Sequence, residues 1–82
     1  METISTDHEL ANFMYNVAYL RRKHGLSRSR MAAILGISVK TLDHIEQGDF
    51  PKNLPAEVLF HILRWFGILP GRMLSDRLDA QG

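Results

Sequence analysis

The chain has no cysteine and no long apolar run, and each absence excludes a class of protein. Because none of its 82 residues is Cys, it can form neither a disulfide framework nor a thiolate metal site. No segment approaches the roughly 20 consecutive apolar residues that a membrane-spanning helix needs. The start of the chain has neither a basic segment nor an apolar core, so it does not resemble a secretory signal. We therefore expect a cytoplasmic protein without membrane contact.

The length allows one small domain. A chain of 82 residues buries only roughly 60–65% of its unfolded surface, so the core is modest. Apolar residues make up 45% of the sequence, which is typical of a globular protein. We expect a single domain over residues 1–82, with flexible ends at about 1–6 and 79–82.

Acidic residues are absent between Leu10 and Leu42, although the net charge of the whole chain is only +1. A basic stripe of this kind can meet the phosphates of a nucleic acid. The alternative is a solvated helix end, because Lys and Arg favour helix C-termini in any case. The basic residues within the acid-free stretch are Arg21, Arg22, Lys23, Arg28, Arg30 and Lys40.

Residues 27–48 have the spacing of two short helices joined by a tight turn. Gly36 lies where the first helix has to end and the chain reverses, a position that favours a positive φ angle. Ser27 and Ser38 precede the two segments, where N-caps are preferred. The pattern is typical of a DNA-binding helix-turn-helix. The apolar residues expected to pack between the two helices are Met31, Leu35, Ile37, Leu42 and Ile45.

The other segments of the chain also have helical spacing. We predict one helix before the motif, over about 7–24, and two after it, over 55–66 and 70–77. The motif itself contributes helices over 28–35 and 39–47. No strand pattern is present in the sequence. The predicted fold is therefore all-α, a compact five-helix bundle with a central helix-turn-helix.

Several short motifs resemble the phage-repressor type of helix-turn-helix family, also called the xenobiotic-response-element type. The resemblance extends from about Val17 to Leu74. It implies a DNA-binding protein that occupies a palindromic operator as a dimer, as a repressor, a restriction-modification controller or an antitoxin. The motifs are Leu20-Arg21, Gly25-Leu26-Ser27, Met31-Ala32, Leu35-Gly36-Ile37-Ser38, Ile45-Glu46-x-Gly48 and Leu59-x-x-Ile62-x-x-x-Phe66-Gly67-Ile68.

The resemblance also implies roles for three side chains. Arg21 and Glu46 are similar to the internal salt bridge of the family, which orients the second helix of the motif. Arg28 stands where the family often has a glutamine that touches a phosphate. From the residues alone, Arg28 and Arg30 at a helix N-terminus favour an anion, because exposed N–H groups and the helix dipole add to their charge. The alternative is an exposed, mobile arginine.

The outward face of the second helix of the motif carries the candidate base contacts. In such motifs the N-terminal residues of this helix reach base edges in the major groove. Lys40 matches the guanine acceptors, Val39 a thymine methyl group and Asp43 the cytosine amino group. His44 and Gln47 share this face. The alternative is that any surface helix turns its polar residues outward.

A surplus of apolar side chains near the end of the chain predicts a dimer interface. Phe60 and Trp65 fall partly outside the apolar face of their helix, and Leu69 and Met73 follow them. Aromatic and Met residues are enriched at subunit interfaces. The alternative is that Trp65 fills the small core of the protomer itself.

Neither a metal site nor an enzyme is predicted. The four histidines, His8, His24, His44 and His61, have no ligand spacing. The sequence has no glycine-rich phosphate loop, and no paired carboxylates or nucleophile–base set are evident. We expect no cofactor.

These observations predict a sequence-specific DNA-binding transcriptional regulator, a repressor that acts by operator occupancy. Its partners would be double-stranded DNA and a second copy of the chain. The alternative is a protein-interaction module or antitoxin that uses the same fold to bind a protein partner. The acidic Asp43 favours this alternative, because it meets the negative potential of DNA.

Overall fold

Every regular element of the chain is a helix within residues 5–81, the part that the computed structural model describes. The predicted all-α five-helix fold is therefore confirmed. In the same residues, no helix combines the length and the apolar character needed to cross a membrane. The elements are α1 (Ser5–Lys23), α2 (Arg28–Leu35), α3 (Val39–Glu46), α4 (Glu57–Phe66), α5 (Pro70–Ser75) and a final 3-10 helix (Leu78–Gln81).

One apolar cluster joins the helices. α1 packs against α3 and α5, and α2 packs against α3 and α4. The largest buried apolar residues of α1, Phe13, Val17 and Leu20, recur at intervals of three or four and so share one side of the helix. Removal of this apolar surface from water is the main favourable term in folding. The other members of the cluster are Met31, Ala32, Leu35, Leu42, Ile45, Val58, Ile62, Met73 and Leu78.

The turn between α2 and α3 forms as the sequence predicts. Ser27 Oγ accepts the backbone N–H of Arg30, and Ser38 Oγ accepts that of Thr41, so both helices have a serine N-cap. Gly36 has a φ angle of +75° at the end of α2. A side chain would be strained in this left-handed conformation. The turn at Gly36 reverses the chain, so that α3 packs against α2.

α4 and α5 are shorter than their predicted extents. α4 begins at Glu57 instead of Pro55, because Pro55 lies in a preceding turn whose carbonyl accepts the N–H of Val58. α5 ends at Ser75 instead of about 77. Its end is set by Asn16 of α1, whose Nδ2 donates to the carbonyl of Met73 at 3.0 Å and to that of Asp76 at 2.8 Å.

Residues 79–81, which the sequence predicts as part of a flexible tail, belong to the 3-10 helix Leu78–Gln81. Leu78 is buried, and its backbone N–H donates to Asn16 Oδ1 at 2.8 Å. Tyr15 donates a hydrogen bond to Asp79, which raises the pKa of the tyrosine. The rest of the predicted flexible ends, residues 1–4 and 82, lies outside the described residues.

Met73 was expected at a subunit interface, and this expectation is wrong. Its side chain is fully buried, with 0% exposure, inside the protomer. A methionine is suited to a core and to a subunit interface alike, so the sequence alone does not distinguish the two positions. Pro70 and the short helix α5 direct Met73 inward against α1.

Candidate nucleic-acid interface

Arg21 of α1 and Glu46 of α3 form a largely buried ion pair. Arg21 Nε donates to Glu46 Oε2 at 2.6 Å, and its Nη2 donates to Glu46 Oε1 at 3.1 Å. The two side chains are only 17% and 9% exposed. This hydrogen-bonded pairing raises the pKa of the Arg21 guanidinium. The arginine also donates to the carbonyl oxygen of Leu26 at 3.1 Å, so it links α1, the following loop and the end of α3.

Arg28, the first residue of α2, joins this pair. Its Nε donates to Glu46 Oε1 at 3.4 Å. The same nitrogen lies 3.3 Å from Asp43 Oδ1, one turn earlier on α3. Two arginines and two carboxylates therefore form one network that connects three helices. The structure thus joins the Arg21–Glu46 pair, which the resemblance implied, to Arg28 and Asp43, which the sequence assigned to DNA contacts.

The first two residues of α3 present their side chains to solvent. Val39 and Lys40 are exposed at the first two positions of the helix. Arg30 is exposed on the first turn of α2, and Gln47 is exposed at the C-cap of α3. In a helix-turn-helix, the exposed start of the second helix is the part that reaches base edges, and the first helix crosses the backbone.

His44 has a partner that the sequence analysis missed. Its Nδ1 lies 2.9 Å from Asp49 Oδ2. Asp49 follows the end of α3 and is not on the helix, so helical spacing does not reveal the contact. The signal in the sequence is Gly48, which has a φ angle of +84°. The chain folds back there, and the N–H of Asp49 donates to the carbonyl of His44 at 2.8 Å.

An open cleft lies beside the turn of the motif. It has a volume of about 590 Å³ and lies between the start of α3 and the loop that leads to α4. Ser38, Thr41 and His44 line one part of it, and Lys52 and Asn53 line another. The sequence analysis did not single out the last two residues. Within residues 5–81, no group of three or more His, Asp and Glu side chains is placed to hold a metal.

Three apolar side chains of the predicted dimer interface lie at the surface, away from the core. Phe60 is 62% exposed, Trp65 is 57% exposed and Leu69 is 60% exposed. Trp65 therefore does not fill the core of the protomer. These three residues are called the α4 apolar patch below, although Phe60 and Trp65, five positions apart, project about 140° from each other around the helix.

The comparisons with known proteins agree with this geometry. Residues 17–70 match a family described as helix-turn-helix, of the phage-repressor-like type. The matched range contains the whole ion-pair network and both helices of the motif. Neither the curated proteins nor the solved structures yielded a match. Since the match covers more than half of the chain, the protein belongs to the phage-repressor-like helix-turn-helix family, a family of DNA-binding transcription regulators.

Proposed function

We propose that the protein is a sequence-specific repressor that acts by occupying an operator. The observation that carries this proposal is the pair of exposed helix starts, α2 with Arg28 and Arg30 and α3 with Val39 and Lys40. The start of α2 is basic, and the start of α3 carries one cationic side chain, Lys40, and one small apolar side chain, Val39. This combination suits a surface that meets both the backbone and the base edges of a duplex.

The two helices have different roles in this proposal. Arg28 and Arg30, together with the positive end of the α2 dipole, contact phosphates and so set the position of the protein on the duplex. Lys40 donates to the O6 and N7 atoms of guanine, and Val39 contacts a thymine methyl group. Gln47, at the far end of α3, and His44, which is already paired with Asp49, contribute less.

The proposed operator is a palindrome that a homodimer occupies. One helix-turn-helix reads one half-site, and paired half-sites lie about 34 Å apart on one side of the duplex. In this proposal two copies meet through the α4 apolar patch, which contains none of the residues assigned to DNA contacts. The exposure of Phe60, Trp65 and Leu69 supports this part of the proposal.

The α4 apolar patch equally favours a second candidate function, the binding of a different protein. Large apolar side chains at a surface are often part of a protein interface. An antitoxin would combine this contact with DNA binding through α3. In that case the patch would be covered by the partner, and the isolated chain would sediment as a monomer.

A substitution of Lys40 tests the proposed base contact. We expect Lys40→Ala to weaken binding to a preferred duplex about tenfold and to relax the base preference. Lys23→Ala is the matched control, because Lys23 is also an exposed lysine but lies at the end of α1. Both affinities are measured by fluorescence anisotropy with a duplex selected from a random pool. Equal effects of the two substitutions would mean that Lys40 contributes charge only and reads no base.

A further inference from the structure

Asp43 is an unexpected residue on the surface of α3 that is proposed to meet DNA. A carboxylate there faces the phosphates, which would repel it. In the structure, however, its Oδ1 lies 3.3 Å from Nε of Arg28. The side chains of Asp43 and Arg28 are 43% and 55% exposed, so the pair lies at the surface. The charge of Asp43 is therefore compensated before any DNA arrives.

The contact is made at one edge of the arginine, whose Nε–H donates to Glu46 while Asp43 lies beside the same nitrogen as an ion-pair partner. A guanidinium has five N–H donors in a rigid planar fork, and the Nε–H group is one of them. Arg28 Nε faces Asp43 and Glu46, at 3.3 Å and 3.4 Å. Within residues 5–81, neither Nη atom of Arg28 makes a hydrogen bond. Of the four remaining donors, two, one from each Nη atom, form the outer edge of the fork, which matches the geometry of a phosphate.

The two carboxylates also limit the movement of the arginine. A free Arg side chain has many rotamers, and binding to DNA would have to restrict them. Glu46 is itself held by Arg21, whose Nε lies 2.6 Å from it. Arg28 is therefore anchored through a nearly buried carboxylate on one side and through Asp43 on the other. This arrangement reduces the entropy that is lost when Arg28 binds an anion.

We propose that Asp43 is a positioning residue that holds the Nε edge of Arg28, so that the Nη edge is presented to a DNA phosphate. The inference rests on the proposed DNA-binding function. It assigns no base contact to Asp43, and it explains how a carboxylate is compatible with DNA binding on this helix. Asp43 acts through Arg28 and does not touch the duplex.

The test is the effect of Asp43→Asn with and without Arg28. The probe is a labelled duplex pool of random sequence, because a phosphate contact does not depend on the bases. With Arg28 present, we expect Asp43→Asn to weaken binding about twofold to fivefold, the range of an exposed ion pair. With Arg28→Ala, the charge of Asp43 is uncompensated, so Asp43→Asn should tighten binding. A general structural effect would not reverse its sign in this way.

Arg28→Lys separates charge from geometry. Lysine keeps the positive charge but has no separate Nε–H edge, so Asp43→Asn should no longer weaken binding in this background. Melting temperatures of all variants show whether each is folded. Arg28→Ala alone should also lower the magnitude of the salt slope by about 0.9, the value for one phosphate.

Three outcomes would overturn the inference. If Asp43→Asn tightens binding by the same factor in every background, Asp43 only repels DNA. If it has no effect with Arg28 present, the pair does not position the arginine. If the unmodified protein binds no duplex even at low salt, the proposed function fails, and the inference fails with it. The first two outcomes leave the proposed function intact.

Discussion

Asn16 of α1 accepts the backbone N–H of Leu78 through its Oδ1 atom at 2.8 Å. The two residues are 62 positions apart, and the asparagine is completely buried. Its Nδ2 atom donates to two further carbonyls, those of Met73 and Asp76. A single buried side chain therefore satisfies the end of α5 and the start of the 3-10 helix. This contact holds the C-terminal segment on α1.

We expect Asn16→Ala to destabilise the protein by at least about 2 kcal/mol, because it leaves buried backbone groups without partners. For a domain of this size the melting temperature should then fall by about 8–16 °C. Asn12→Ala is the matched control, since Asn12 makes one hydrogen bond, to the carbonyl of Leu74 at 2.9 Å. An equal decrease in melting temperature for the two variants would show that the three hydrogen bonds of Asn16 stabilise the protein no more than the one of Asn12.

Glu46→Ala should be among the most destabilising changes on α3. It leaves Arg21 without its partner in a site where the arginine is only 17% exposed. Removal of one member of a buried pair costs about 3–5 kcal/mol, and partial exposure favours the lower end. A double replacement of Arg21 and Glu46 should lose less than the sum of the single losses. Thermal unfolding of the four proteins measures this. Strict additivity would contradict the pairing.

Gly36→Ala should cost more than Gly25→Ala. Both glycines have positive φ angles, +75° and +63°, so each alanine is strained by about 1 kcal/mol or more. A Cβ atom at Gly36 would also lie 3.0 Å from Cε1 of His61, whereas at Gly25 nothing lies within 4 Å. His61 cannot move freely, because its Nδ1 is 2.9 Å from the carbonyl oxygen of Leu35. The free energies of unfolding of the two variants are compared by chemical denaturation. Equal decreases would mean that the His61 ring moves aside without loss of stability.

Trp65→Ala tests the proposed dimer. The side chain is 57% exposed in the protomer, so its loss should lower the stability of the isolated fold by about 1–2 kcal/mol, less than the loss of a core aromatic. If the α4 apolar patch joins two copies, the unmodified protein sediments as a dimer and the variant as a monomer. The melting temperature of the variant should also lose its dependence on concentration. A monomeric unmodified protein at high concentration would contradict a preformed dimer.

The motif could be predicted from sequence because its signals are local. Ser27 and Ser38 lie within three residues of the N–H groups that they cap, and Gly36 has a requirement that belongs to its own backbone. The C-terminal segment depends on Asn16, far away in the chain, and no local pattern reports that contact. Met73 shows the same limit, since apolar character does not reveal what covers a side chain.

Sequence reasoning predicted the exposure of the first residues of α3, but not the contacts between side chains of different helices. Lys40 and Val39 are exposed at the start of α3, where the spacing placed them. Arg28 and Asp43 lie on different helices, and their distance of 3.3 Å is a property of how α2 and α3 pack. From the sequence, Arg28 was a candidate phosphate contact and Asp43 a carboxylate that opposes DNA binding. In the structure the two side chains form one ion pair.

Selection from a random duplex pool, followed by affinity measurement at two salt concentrations, tests the central claim most directly. A sequence-specific regulator should enrich a palindrome with two half-sites about one helical turn apart. Affinity for that duplex should exceed affinity for the unselected pool and should fall steeply with salt. If no sequence is enriched and any binding is independent of salt, the protein does not act as a DNA-binding repressor.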